Sequence, residues 1–402
     1  MNGELILNML ETMYLKKTCG SKQGEYIMIL RIEDLKEVCS TILTAVDASE
    51  LSKLTETLEF KSANNILYLN VTNKEYYAQV KLAVNSDIDF HATVNANLFL
   101  NLISQTTTET VELKVNKSNL EVIGNGKYKL PLIYDGDKLL ELPEIPVTNV
   151  TTQFDINSDI LNSILKYNTK ELQKGAISRP VQKLYYVDEN GCITFTSGAC
   201  VNTFKLASPV KLLFNSRLVK LFKLFKNESV HFKLAQEPLD ENLTQTVVKF
   251  ENDSIAITAI LNCDATLINS VPVTAIRNRA NSAYTYSVSI NKQELLDCIN
   301  RLLLFISFHS DKVVLKPYSK FIFTKDHVVI HDVNEVNHED IYYNSPIIDD
   351  MEDYEALLDL TELKMTLDNY TSDYINLKFG NHQAIVIFKD TIANVVPECH
   401  SV

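Results

Sequence analysis

Six times along the chain a strand-like run leads into a helix-like stretch and then into further strand-like runs, an order that admits few architectures. The first repeat reads EYIMILRI, then EDLKEVCSTILTAV with Leu35, Val38, Ile42 and Leu43 on one helical face, then LTETLEFK, NILYLNVT and YYAQVKLAV. The second runs IDFHATV, NANLFLNLIS, TVELKV, NLEVIG and YKLPLI. QFDI, NSDILNSILKYN, KLYYVD, CITFTS and NTFKLAS make the third, and VKLLF, NSRLVKLFKLFKNE, SVHFKLA, TVVKFEN and SIAITAIL the fourth. The fifth is YTYSVSI, KQELLDCINRLLLFI, VVLK, KFIFT, HVVIHDV and DIYYNS; the sixth is YEALLDL, TELKMTLDNY, YINLKF, QAIVIF and IANVV.

The helices near Glu33, Asn157 and Asn291 open successive pairs of repeats, so the long period is a triplicated domain and not a short solenoid. Proline-bearing segments at 141–150 and 270–282 mark the boundaries. The expected division is an N-terminal extension (1–24) and three domains, 25–147, 148–273 and 274–402. Strands with one apolar face and helices with one apolar stripe bury against each other in two layers, which makes the fold class α+β.

Asn215–Glu228 stands out in a chain of formal net charge −13. At about 100° per residue, Leu218, Leu221, Phe222 and Phe225 fall on one arc, with Lys220, Lys223 and Lys226 opposite, Arg217 at the edge and Asn215 or Ser216 as N-cap. Taken alone, the segment reads first as an ordinary solvated surface helix. If the domains form an arc with helices on the concave side, its lysines face inward with Lys166, Lys170 and Lys174, and the acid lies outside.

The chain has 402 residues, 46% of them hydrophobic and 22% charged, ordinary material for packed cores. Its seven cysteines lack C-x-x-C spacing and read as reduced cytosolic thiols. No apolar run reaches membrane-spanning length and no signal peptide is evident, so a cytoplasmic protein is expected, without a membrane partner. A pI near 5.2 excludes a general nucleic-acid coat but not positive charge confined to one surface.

Catalytic motifs are absent from the sequence. GNGKYK (124–129) reads as a hairpin turn, and His327 and His331, four apart on a strand, stand too far apart for one metal. IIDDMEDYE (347–355) reads as a solvated connector. No cofactor, metal or enzymatic activity is expected.

Several short stretches stand in a telling order: SRPV (178–181), FTSGACV (195–201), where a known family carries A-T-D-G-x-x-L, and VVP (395–397) near the C-terminus. With the repeat, they make the chain resemble the bacterial-type DNA polymerase sliding clamp, the polymerase III β subunit family, over residues 25 to 402. The resemblance implies a DNA-clamp fold of three similar domains, each of two β-α-β-β-β repeats, with helices lining a ring. It implies a head-to-tail homodimer around double-stranded DNA, held without sequence specificity, that tethers a replicative DNA polymerase and is placed by a clamp loader.

The same resemblance implies a partner-peptide pocket of Thr196, Gly198, Val201, Pro272, Val395, Val396 and Pro397. Ala199 and Cys200 replace a common His/Arg pair, and Glu398 stands where the family is often apolar, so the chain reads as a divergent clamp of bacterial or phage origin. The DNA-facing set is Lys166, Lys170, Lys174, Arg217, Lys220, Lys223 and Lys226. Residues 1–24 have no counterpart; Ile6, Met9, Leu10 and Met13 have helical spacing, and translation from Met28 is the alternative. The rival function is a repeated-domain scaffold that assembles without DNA.

Overall fold

The computed structural model describes residues 26–46, 52–84, 89–165, 184–195, 198–238, 244–261, 265–307, 318–332, 334–381 and 383–398. The extension 1–24, the run VVLK, Thr196, Lys166, Lys170 and Lys174 lie outside the described residues.

All six repeats are present. The first is β1 (Tyr26–Arg31), α1 (Ile32–Leu43), β2 (Thr57–Ala63), β3 (Ile66–Thr72) and β4 (Tyr76–Ala83). The second is β5 (His91–Asn95), α2 (Ala96–Gln105), β6 (Thr110–Val115), β7 (Asn119–Ile123) and β8 (Lys127–Pro131), followed by the small hairpin β9 (Tyr134–Asp135) and β10 (Lys138–Leu139). The third is β11 (Val150–Asn157), α3 (Ser158–Leu165), β12 (Leu184–Asp188), β13 (Gly191–Phe195) and β14 (Ala199–Thr203). The fourth is β15 (Lys211–Asn215), α4 (Ser216–Leu221) with a 3₁₀ turn Phe222–Leu224, β16 (Ser229–Pro238), β17 (Thr244–Glu251) and β18 (Ile255–Leu261).

Two helices follow, α5 (Ala265–Asn269) and α6 (Val273–Asn281), where the sequence suggested only a proline-bearing linker. The fifth repeat is β19 (Tyr286–Asn291), α7 (Lys292–Ser307), β20 (Tyr318–Phe323), β21 (His327–His331) and β22 (His338–Tyr342). The sixth is β23 (Tyr354–Asp359), α8 (Leu360–Leu367), β24 (Tyr374–Phe379), β25 (Ala384–Lys389) and β26 (Ile392–Pro397).

Paired repeats exchange their lead strands. β1 pairs with β6 and β5 with β2; β11 with β16 and β15 with β12; β19 with β24 and β23 with β20, all antiparallel. Every lead strand after the first ends in Asn or Asp, at positions 95, 157, 215, 291 and 359. Four of these side chains accept backbone N–H bonds from the helix they precede: Asn95 from Leu98, Asn215 from Leu218, Asn291 from Gln293 and Glu294, and Asp359 from Thr361 and Glu362, at 2.8–3.1 Å. Each such cap is worth about 1 kcal/mol, and it fixes where the strand turns into helix.

The chain forms two compact bodies, residues 1–158 with 221–262, and 159–220 with 263–402. Within the first, β18 joins β4 through Ile255↔Val80 to Ala259↔Tyr76, making the eight-stranded sheet β11-β16-β17-β18-β4-β3-β2-β5 beside the sheet β1-β6-β7-β8. Within the second, β14 joins β26 through Ala199↔Val395 to Asn202↔Ile392, making β15-β12-β13-β14-β26-β25-β24-β19 beside β22-β21-β20-β23. The bodies divide inside the third and fourth repeats, because continuous sheets join strands that lie on either side of each proline-bearing segment.

Helices cover these sheets by their apolar stripes. On α1 the buried residues are Ile32, Leu35, Val38, Cys39 and Ile42. Leu43, expected on that face, is exposed: a helix advances about 800° from position 35 to 43, which carries the side chain about 80° off the stripe. Below the lysine segment, Phe154, Phe232 and Phe250 are cross-strand partners on β11, β16 and β17 with ring centroids 4.8 and 5.2 Å apart. Phe222 stacks on this ladder, 4.8 Å from Phe250.

On the same pair of strands Lys233 and Lys249 stand directly opposite one another, and Glu251 bridges them at 2.7 and 2.6 Å. Burial pushes the Glu251 carboxyl up, but hydrogen bonds from both lysines and their charges hold it at about 2, against 4.5 unperturbed. A carboxyl with a depressed folded-state value stabilises fully above its unfolded value and loses that contribution as pH falls through the folded one. Glu251→Gln should therefore cost about 1 kcal/mol at neutral pH after solvent screening. The gap from wild type should close between pH 4.5 and about 2, read from thermal unfolding across a pH series.

Candidate functional site

The lysine segment is shorter as a helix than its spacing suggests. Asn215 caps α4, whose regular turns end at Leu221; the 3₁₀ turn follows, Phe225 is extended, and Asn227 takes φ 51°. The cause is the aromatic ladder: Phe222 seats on Phe250, and Phe225 reaches full burial with extended backbone. The polarity holds, however. Leu218, Leu221, Phe222 and Phe225 are buried, Lys220, Lys223 and Lys226 are exposed, and Arg217 is half-buried. Among the described residues none of these three lysines makes an ion pair.

Lys223 and Lys226 open onto a cleft of about 560 Å³, shared with Lys81 of β4. Asp34 and Glu37 of α1, and Glu228, line the same cleft, which corrects the expectation that acid lies away from the lysines. Two of these carboxylates are already engaged: Asp34 accepts from Arg31 at 2.7 and 2.8 Å, and Glu228 accepts from Asn252. Three lysines and three carboxylates line the cleft, so their formal charges balance, and the pairing of Asp34 with Arg31 leaves one positive unit over.

A second cleft, of about 350 Å³, lies in the other body between α6 and the β14–β26 junction. Gly198, Pro272, Val395 and Pro397 of the expected pocket line it, joined by Phe195, Ala199, Ala275, Ile276 and Arg279. Val201 lies beneath, in the apolar cluster against which Ile276 packs. Val396 points the other way, into the core under α7 and α8, because side chains alternate along β26. Neither Val201 nor Val396 lines the cleft.

Backbone proximity closes the floor. The Gly198 N–H donates to Glu362 Oε1 of α8 at 2.7 Å, and a Cβ at Gly198 would collide with the Val395 carbonyl oxygen. The wall, α6, is anchored by Arg277, whose Nη1 and Nη2 donate to the buried Asp188 carboxylate at 2.7 Å each. These bonds, with the Asp188 charge, hold the Arg277 guanidinium above its ordinary value. Glu398, expected at a tail position, accepts the Tyr354 hydroxyl at 2.6 Å.

Solved structures with this arrangement identify the fold. The β subunit of the DNA polymerase of Streptococcus pyogenes superimposes with a TM-score of 0.75 at 14% identity, covering 94% of this chain and all of that one. This is the β sliding-clamp fold. The sliding clamp of Bacillus subtilis matches with a TM-score of 0.73 at 14% identity over 94% of the chain and all of its own. The Helicobacter pylori β clamp bound to a DNA ligase peptide matches with 0.70 at 15% over 93%, again all of that chain.

In sequence, the β sliding clamp of Mycoplasmopsis pulmonis (strain UAB CTIP) is 27% identical over 129 residues, 30% of this chain and 31% of that protein. The aligned stretch thus spans about a third of the relative's length. No protein-family model matches the chain. Clamp architecture here therefore stands on far fewer shared residues than shared backbone.

The sequence reading missed the α6 wall, although Val273, Ile276 and Ala280 carry helical spacing behind Pro272. The wall's anchorage is testable. Arg277→Leu leaves Asp188 buried without its partner and should raise amide exchange of residues 273–281 at least about tenfold, with exchange in β24 and β25 unchanged. Mass-spectrometric hydrogen exchange reads this directly.

Proposed function

We propose that the chain is a DNA sliding clamp, a non-enzymatic processivity factor: two copies close head to tail around duplex DNA and tether a replicative polymerase. The observation that carries this reading is a pair of unmatched strands. Each repeat ends in a strand, β4, β8, β14, β18, β22 or β26, that has its own repeat's meander on one side only. β4 pairs with β18 and β14 with β26, while β8 and β22 have no strand partner on their outer edges among the described residues. Continuing the same pattern, β8 of one copy pairs with β22 of another, and a second such pair closes the assembly.

The two edges also suit each other chemically. β8 presents Lys127 and Lys129, which share Glu121 at 2.9 and 3.8 Å, and an exposed Tyr128; β22 presents Asp340 and Tyr342, and α7, which packs on β22, carries the exposed Leu304 and Phe305. An uncovered strand edge with apolar side chains is a liability in a free monomer. Three domains, 25–147, 148–273 and 274–402, are the natural repeat pairs of such a ring.

Lysines on the helix side then supply a mobile attraction to phosphate, and the −13 chain charge discourages DNA from other surfaces. Lys166, Lys170 and Lys174 complete the DNA-facing set with Arg217, Lys220, Lys223 and Lys226. The cleft beside α6 takes peptide segments of the polymerase and of a clamp loader; a solved relative of the same fold, the Helicobacter pylori β clamp, is bound to a DNA ligase peptide. No helix among the described residues is long and apolar enough to cross a membrane, and the working place of such a clamp is the cytoplasm.

Two measurements test the reading. Leu304→Asp with Tyr342→Asp places charge on exposed side chains, so the thermal midpoint should hold while light scattering shifts from a two-chain to a one-chain mass. Replacing Lys220, Lys223 and Lys226 by Glu should leave folding and dimerisation intact but reduce retention on circular DNA at least about tenfold at low salt. The control reverses Lys117, Lys138 and Lys211, exposed lysines away from that segment. Equal loss in both triple variants would reduce the lysine segment to ordinary solvated surface.

A further inference from the structure

The β21–β22 hairpin sets two histidine rings side by side. His331 and His338 are cross-strand partners, with ring centroids 5.5 Å apart and planes at 35°. His331 Nδ1 is enclosed and has no hydrogen-bond partner among the described residues, so it has given up water for nothing. His338 stands exposed beside it. The other described histidines are each committed to a carboxylate: His91 to Glu59 at 3.1 Å, His231 to Asp155 at 2.9 Å and His327 to Asp326 at 2.8 Å. His327 also lies too far along the strand to join His331, and the residue across from it is Tyr342.

We propose that His331 and His338 together chelate a divalent transition-metal ion of the zinc, nickel or copper class. Imidazole nitrogen suits these ions, whereas magnesium and calcium take oxygen. An ion about 2.0–2.1 Å from one nitrogen of each ring, at a tetrahedral or trigonal angle, holds the two centroids about 5–5.5 Å apart. The hairpin already supplies that separation. Ligation through His331 Nδ1 also gives that atom the partner it lacks.

Both strands are fixed before any ion arrives. The turn between them is built on the buried Asp332, whose carboxylate accepts the N–H groups of Asn334 and Val336 at 3.1 and 2.9 Å and the Asn337 amide at 2.6 Å. Next to His338, Glu339 accepts two bonds from Arg301 of α7, at 2.8 and 2.5 Å. Little ordering therefore opposes binding. No third His, Cys, Asp or Glu of the described residues joins the pair, so water fills the remaining positions and the site is an open one. An ion held there ties the edge strand β22 to β21 whether or not a second copy covers that edge.

The test titrates Zn²⁺ into the full chain, stripped of metal and held at neutral pH in a non-chelating buffer, by calorimetry. One site with a dissociation constant on the order of 10 μM should appear, and about a hundredfold excess of Mg²⁺ should not compete. His338→Gln, an exposed change that leaves the fold intact, and His331→Gln should each weaken it at least about tenfold. His327→Gln, on the same face, should leave it unchanged. Electron paramagnetic resonance of bound Cu²⁺ should show two imidazole nitrogens in wild type and one in His338→Gln. No Zn²⁺ binding by wild type up to about 1 mM, or equal affinity in wild type and His338→Gln, overturns the site. A loss on His327→Gln as large as that on His338→Gln overturns its assignment to the cross-strand pair. None of these readouts depends on ring closure.

Discussion

The exchange of lead strands between paired repeats is the constraint on which the rest of the fold depends. A strand that pairs with the other repeat's meander leaves neither repeat a complete sheet of its own, so backbone hydrogen bonding forces repeats to fold in pairs. The exchange also fixes which edges stay open. In each four-stranded sheet the lead strand occupies one edge and the last meander strand the other, and the last strands are then free to pair with those of another repeat. Two such junctions are made within the chain, and each sets a surface: β18 on β4 underlies the lysine cleft, and β14 on β26 forms the floor of the cleft beside α6.

Periodicity carried most of this in the sequence because both sides of the contact are regular. Alternating strands and a 3.6-residue apolar stripe announce a two-layer α+β repeat, and the six repeat helices lie where the stripes suggest. A second signal sat unused: the Asn or Asp at the end of each later lead strand, a capping residue whose recurrence marks repeat boundaries independently of hydrophobicity. What failed was local. Leu43 lies one residue too far round the helix, and the lysine segment is helical over fewer residues than its stripe spans because Phe222 is held by a three-strand aromatic ladder that only tertiary pairing creates, with Phe225 buried beyond it on extended backbone. The α6 wall is masked by its one proline, since Pro272 has the look of a linker signal yet stands just before the first helical residue.

The candidate surfaces were legible by residue type and less so by orientation. Gly198, Pro272, Val395 and Pro397 meet at one cleft, but strand alternation sends Val396 to the opposite face, and Arg279 enters from a helix not evident in the sequence. The lysine cleft has a similar lesson. Asp34, Glu37 and Glu228 stand among its cations, so attraction to a polyanion there is moderated. In the ring proposed above, contacts of that strength would leave a duplex free to move, and topological linkage would set residence on DNA.

Residence on circular against linear DNA tests that claim most directly. The protein is loaded on nicked plasmid with a replication extract of the cells that make it, separated from unbound protein by gel filtration, and half the sample is cut once with a restriction enzyme. A closed ring remains on the circle through moderate salt and runs off the cut molecule, leaving little protein in the DNA fraction. Equal retention on cut and uncut DNA, or retention on neither after loading with polymerase and loader present, would contradict encirclement.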